Sequence, residues 1–329
     1  MVQIDNKNNS GTLLCVSSVI RSFSDLAFKS IIKNLLPFLQ GPIDIIGHSP
    51  PGNEKAIEIL KPYCRRLLWK FVDDPQFTEK ELGMDYRAEK CYNVMKNNLL
   101  QWHSLEQCGF LKKEIENEIG PASTVIWTRP DLLFLWPVDL PANIPSQTIF
   151  LSPHDMWNGV NDRFCFGDSK TLSLRMDQAR YFKNEWYPRL KQNPDRILNG
   201  KNTVWIPETI LSSLIRDRKL NVKPTYTIFC RLKDIGGRVY GITPHRRGFR
   251  SDFPDIIRRM KRDPSAKQFL LRLARLFAQQ RDDLTIVDPR SINQKFNWLQ
   301  KLDQLLAGGN FIKRLVLVET LLEIESELS

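Results

Sequence analysis

Apolar positions come in two rhythms at the start of this chain. Residues 12–20, TLLCVSSVI, form an apolar and β-rich run that stops at Arg21-Ser22-Phe23-Ser24. Such a run predicts a buried strand ending in a loop. Residues 25–39 then carry apolar side chains at helical spacing, with Ser24 or Asp25 as N-cap, and Pro37 and Gly41-Pro42 close the helix. IDIIGHS over 43–49 predicts a second short strand, Pro50-Pro51-Gly52 a loop, and residues 53–61 a second helix. Strand, helix, strand, helix is the opening of a Rossmann-type sheet. Ligands in such sheets sit beyond the carboxyl ends of the strands. Arg21 and Ser49 lie just there.

The middle of the chain continues the alternation. Residues 86–118 predict a long polar helix or helix pair, with Gly109 as a break and Gly120-Pro121 as the stop. Residues 123–128 predict a strand, and the chain turns at Arg129-Pro130-Asp131 because proline cannot continue a central ladder. Residues 148–152 predict another strand. HDMWNGVNDRFCFGD over 154–168 mixes turn residues with aromatics and predicts a loop or hairpin beside a pocket. Residues 169–190 and 203–219 predict helices, and 222–232 and 238–242 predict strands. From Pro244 the texture changes to a basic amphipathic helix over 265–281 and further helices over 291–307 and 310–328. The expectation is an α/β catalytic domain over 1–243, a mixed sheet flanked by helices. A basic, mainly helical C-terminal extension follows over 244–329.

Length and composition agree with this division. The chain has 329 residues, above the ~250–300 at which a single core stops growing. No apolar run reaches the ~18 residues of a membrane span, and the first residues lack the order of a signal peptide, so a cytoplasmic location is expected. The cysteines, Cys15, Cys64, Cys91, Cys108, Cys165 and Cys230, include no C-x-x-C pair. That argues against zinc-ribbon and thioredoxin-like chemistry and fits a reducing compartment. The net charge of +11 is uneven: residues 244–281 hold eleven Lys/Arg against three Asp/Glu. That segment reads either as a solvated helix face or as a patch for phosphates, nucleic acid or anionic lipid.

G-x-G-x-x-G, Walker, H-E-x-x-H and G-x-S-x-G motifs are absent, and the four histidines are far apart in the sequence. Three stretches remain. Arg129 and Asp131 close a strand inside the apolar frame VIWTRPDLLFL. Asp131 either fixes a turn by pairing with Arg129 or holds a hard cation through its oxygens. Asn161-Asp162-Arg163-Phe164, with Gly167 after it, either recognises sugar hydroxyls, with Asp162 as a general base, or closes a hairpin by an Asx-type turn. Glu208, after Pro207, either caps a helix or serves catalysis.

Together these stretches resemble a family of GT-A-like glycosyltransferases from bacterial and algal polysaccharide gene sets. Its members carry an R-x-D-x-x-F strand end, an N-D-R-F-x-x-G segment and a helix that starts near an acidic residue. The matching residues are Arg129, Asp131 and Phe134, then Asn161, Asp162, Arg163, Phe164 and Gly167, then Glu208. The resemblance covers roughly residues 12–235 and leaves 244–329 uncovered. It implies a GT-A-like fold and a nucleotide-sugar donor lying over the first strands. Asp131 stands in place of the metal-binding acidic motif, holding Mn²⁺ or Mg²⁺. Arg21 and Arg129 meet the nucleotide phosphates, with Ser17, Asn161 and Arg163 as further donor contacts. Asp162 binds the sugar or activates the acceptor, and Glu208 is the reserve base. The acceptor implied is a hydroxyl of a glycan or lipid-linked sugar. Two departures stand out: Ser18 occupies a turn position where glycine is common, and the acidic motif keeps a single aspartate.

Two other readings stay open. One is a non-catalytic glycan or nucleotide binder on the same fold. The other is a membrane-surface or nucleic-acid binder acting through 244–281, although no recognised nucleic-acid module is present and no nucleic-acid partner is expected. For the 265–281 helix itself, the alternatives are peripheral contact at the inner membrane face and cover for the sheet or a dimer contact.

Overall fold

A computed structural model describes residues 11–20, 24–52, 54–76, 89–134, 137–152, 159–192, 207–227, 229–235 and 238–242. Arg21 and the whole 244–329 extension lie outside the described residues. The strands of the main sheet are β1 (Thr12–Ser17), β2 (Ile43–Ser49), β3 (Arg66–Phe71), β4 (Thr124–Thr128), β6 (Thr148–Leu151), β7 (Phe164–Gly167) and β8 (Asn221–Pro224). A smaller sheet holds β5 (Leu132–Phe134), β9 (Phe229–Ile235) and β10 (Arg238–Ile242). The helices are α1 (Ser24–Asn34), α2 (Glu89–Ile119), α3 (Ser169–Met176), α4 (Gln178–Tyr181), α5 (Tyr187–Gln192) and α6 (Pro207–Asp217). The fold class is thus the α/β one expected.

The main sheet runs β3-β2-β1-β4-β7-β6-β8. β1, β2, β3 and β4 are parallel, whereas β7 is antiparallel to both neighbours. Alternation along β1 splits two cores. Leu13 and Cys15 pack with residues of α2 and α3 on one face, and Leu14 and Val16 pack with α1 on the other. A strand covered on both faces has no polar side to show, which is why TLLCVS reads as a continuous apolar run. Each large aliphatic side chain sealed this way contributes about 1.5–3 kcal/mol.

Several elements depart from the sequence expectations. β3 was not legible, because Arg66 and Lys70 interrupt a short run at the sheet edge. The expected 222–232 strand is two strands in two sheets. Pro224 ends β8 at the sheet edge, where a missing N–H is tolerated. α2 runs unbroken through Gly109, whose lack of a side chain admits Met176: an added Cβ would sit 3.3 Å from that residue. The helix expected over 169–190 is segmented instead, with a π turn at Phe182–Trp186 just before Pro188. A proline removes one helical N–H and crowds the preceding turn, so the chain widens ahead of it. Cys15, Cys64, Cys108 and Cys165 are thiols without disulfides. Among the described residues no helix is long and apolar enough to cross a membrane.

Candidate functional site

The strand order reverses between β1 and β4. From β1 the chain builds outward through β2 and β3, and it resumes on the other side with β4. Connections diverge at such a switch point and leave a crevice beyond the carboxyl ends of the strands. A cleft of about 420 Å³ lies there, walled by Ser18 after β1, Pro50 after β2, Asp74 beyond β3 and Arg129 after β4. Ser18 takes a φ of +127°, which glycine adopts more easily. Holding a serine in that conformation costs about 1–3 kcal/mol of local strain.

Arg129 is the hub of the cleft floor. Its Nε and Nη2 each donate to an oxygen of Asp131 at 2.8 Å, and its Nη1 donates to Gln101 at 3.2 Å. Gln101 in turn donates to Asp162 at 3.2 Å. The small sheet adds a second cation. Its register sets Arg231 opposite Leu132, and Arg231 Nε donates to Asp131 Oδ2 at 3.0 Å. Burial pushes the Asp131 carboxyl up, but Arg129 and Arg231 more than offset this and hold it well below the usual carboxylate range.

The 159–163 segment forms the opposite wall because it docks on the start of α6. An added Cβ on Gly159 would fall 2.1 Å from the Glu208 carbonyl oxygen, and Val160 N–H donates to that oxygen at 3.3 Å. Asn161 Oδ1 accepts from the backbone N–H of Arg163 and Phe164 at 2.9 and 3.2 Å. This is the Asx-type turn, and it aims Asp162 and Arg163 into the cleft. Arg163 lies 3.9 Å from Asp162 and 3.5 Å from Glu208. Beneath them Arg175 donates to the Asp162 carbonyl at 3.3 Å and stacks 4.5 Å above the Trp127 ring.

Of the residues singled out in the sequence, Arg129, Asp162, Arg163 and Glu208 share the cleft wall. Four others have different posts. Ser49 is buried at the end of β2, where it accepts the Trp69 indole N–H at 3.0 Å. Ser17 is sealed in the core, where it accepts the Trp127 indole N–H at 2.8 Å, so it does not reach a ligand. The carbonyl oxygen of Asn161 is committed to its turn. Asp131 is buried, and both of its oxygens are taken by guanidiniums. It does not fit the role of metal ligand: a divalent cation would have to displace an arginine and then sit beside Arg129 and Arg231. Among the described residues no group of three or more His, Cys, Asp or Glu side chains could hold a metal ion.

Gln101, Ser104, Asp74 and Arg231 also line the cleft and were not picked out from the sequence. Asn97, Gln101 and Ser104 repeat at i, i+4 and i+7 along α2, a polar stripe that periodicity could have exposed. Arg231 carries no local signal. Ser104 also supports His48. Its hydroxyl donates to the His48 carbonyl at 3.0 Å, so it accepts from His48 Nδ1 at 3.0 Å. Burial, with His103 and Lys70 nearby, lowers the His48 imidazole to about 4.

No protein-family model matches the chain, and no curated protein matches it. Among solved structures, the glycosyltransferase GlyE of Streptococcus pneumoniae TIGR4 is similar at 11% identity with a TM-score of 0.33. That match covers 65% of this chain and 45% of GlyE, so the chain spans less than half the length of that protein.

Proposed function

We propose that this chain is a glycosyltransferase, moving a sugar from a nucleoside-diphosphate sugar to a hydroxyl of a glycan or lipid-linked acceptor. The observation that carries this reading is the cleft at the β1–β4 switch point. It gathers Ser18, Arg129, Asp162, Arg163 and Glu208 from separate stretches of the chain. The resemblance of the R-x-D-x-x-F and N-D-R-F-x-x-G segments to GT-A-like enzymes supports the same reading. A crevice over parallel strands suits a nucleotide, and arginines suit a diphosphate, whose charge grows on the leaving oxygen as the glycosidic bond breaks.

In this scheme Arg129 and Arg163 stabilise the diphosphate, and Asp162 orients the sugar or accepts the proton of the acceptor hydroxyl. Glu208 is the reserve for that base. The test is a thermal-shift and calorimetric screen of UDP-, GDP- and ADP-sugars, followed by assay of donor hydrolysis and transfer. Absence of binding by every donor would remove the reading. The engagement of both Asp162 and Glu208 by Arg163 favours a second reading, binding without turnover. Tight donor binding with no hydrolysis or transfer across an acceptor panel would select it.

A further inference from the structure

We propose that the cleft holds a diphosphate through Arg129, Arg163 and Arg231 without a divalent metal, and that Asp131 is the positioning residue that fixes two of these arginines. The choice of ligand rests on the nucleotide-sugar reading and deepens it.

The arginine geometry supports this assignment. Asp131 lies below the cleft rather than on its wall, and it engages Arg129 through a two-point fork and Arg231 through Nε. A carboxylate used in this way removes the rotamer freedom of guanidiniums that would otherwise be ordered only on binding. Donors are left over after this fixing. Arg129 spends three of its five N–H groups on Asp131 and Gln101. The two Nη groups of Arg231 make no hydrogen bond among the described residues, and Arg231 lines the cleft with its side chain 30% exposed.

The choice between anion and cation is local. The cleft and the groups beneath it hold four guanidiniums, of Arg129, Arg163, Arg175 and Arg231, against four carboxylates, of Asp74, Asp131, Asp162 and Glu208, so the whole is balanced. At Asp131, however, two guanidiniums meet one carboxylate. A divalent cation placed there would face net positive charge, whereas a diphosphate meets N–H donors that are still free. Fixed guanidiniums can thus supply the charge stabilisation for which the single-aspartate motif is poorly equipped.

The experiment is calorimetric titration of the full chain with sodium pyrophosphate, once in EDTA and once with Mn²⁺. Binding is expected in EDTA, with no gain on adding Mn²⁺. Arg231→Gln should weaken it in EDTA by about tenfold or more, the loss expected for a charge-assisted contact. Asp131→Asn, which keeps one acceptor oxygen but loses the two-point fork, should weaken metal-free binding severalfold without abolishing it, and unchanged affinity would remove its positioning role. Binding that requires Mn²⁺ and disappears in Asp131→Asn would overturn the inference, as would full affinity in Arg231→Gln. If Asp131→Asn fails to fold by circular dichroism, Arg231→Gln decides alone, since its side chain stands at the cleft surface. A nucleotide sugar that binds and reacts only with Mn²⁺ would sink the clamp and leave sugar transfer standing. Pyrophosphate binding in EDTA without binding or turnover of any nucleotide sugar would do the reverse.

Discussion

Arg163 Nη2 lies 3.5 Å from Glu208 Oε1, tying the turn before β7 to the first turn of α6. The same guanidinium stands 3.9 Å from Asp162. One cation thus holds two carboxylates from segments that meet only in the folded chain. Their roles separate by substitution. On the sugar-transfer proposal with Asp162 as general base, Asp162→Asn is expected to lower kcat by about 10²–10⁴-fold, with donor affinity little changed. Glu208→Gln should lower it by a smaller factor. Steady-state kinetics on both variants checks the order.

Asp131 is the buried partner of two arginines, so its loss should be felt in stability. Asp131→Ala is expected to cost about 3–5 kcal/mol, because it strands buried guanidinium charge. Arg231→Ala should cost less, since the lost side chain was partly exposed. Urea denaturation of each variant gives the comparison. The folded Asp131 titrates below its unfolded value, so its contribution is complete above about pH 4 and fades as the pH falls further. Wild type should therefore lose more stability than Asp131→Ala on acidification below pH 4.

His48 gives a second pH dependence at a different place. It is fully buried, and its imidazole is lowered from 6.5 to about 4. Between these values the unfolded chain takes up a proton that the folded chain does not, so stability falls as pH drops through that window. The full effect is about 3 kcal/mol at 1.36 kcal/mol per unit. His48→Asn, which can still donate toward Ser104, should flatten the melting temperature between pH 6.5 and pH 4. A slope equal to that of wild type would show that His48 is not its source.

Gly159 is the seat of the cleft wall. Alanine there would place its Cβ 2.1 Å from the Glu208 carbonyl oxygen and 2.2 Å from the carbonyl carbon, and backbone cannot swing aside as a side chain can. Gly159→Ala is expected to cost at least about 1–3 kcal/mol and to weaken ligand binding as Asp162 and Arg163 shift. Thermal melts and ligand titration of the same variant should fall together. An unchanged ligand affinity would mean that the wall is held by other contacts.

The legibility of the site varied with how local each residue's role is. Asp162 and Arg163 were readable because a four-residue turn carries its own signal. Glu208 was readable because proline followed by an acid marks a helix start. Ser17 misled because position at a strand end does not tell which way the side chain faces, and here Trp127 draws it inward. Asp131 looked like a ligand because its second arginine comes from a residue 100 positions away.

The sequence alone determined the α/β alternation, the strand that opens the fold and the start of α6, and it offered the turn at Asn161 as one of two readings. Each follows from neighbours a few positions apart, through periodicity, capping and turn chemistry. Only the tertiary structure decided that β9 leaves the main sheet for a smaller one and brings Arg231 to Asp131. It also decided that Gly109 is a contact with Met176 rather than a helix break. Pairing between distant segments depends on which surfaces bury best against each other, and no local stretch of sequence records that choice.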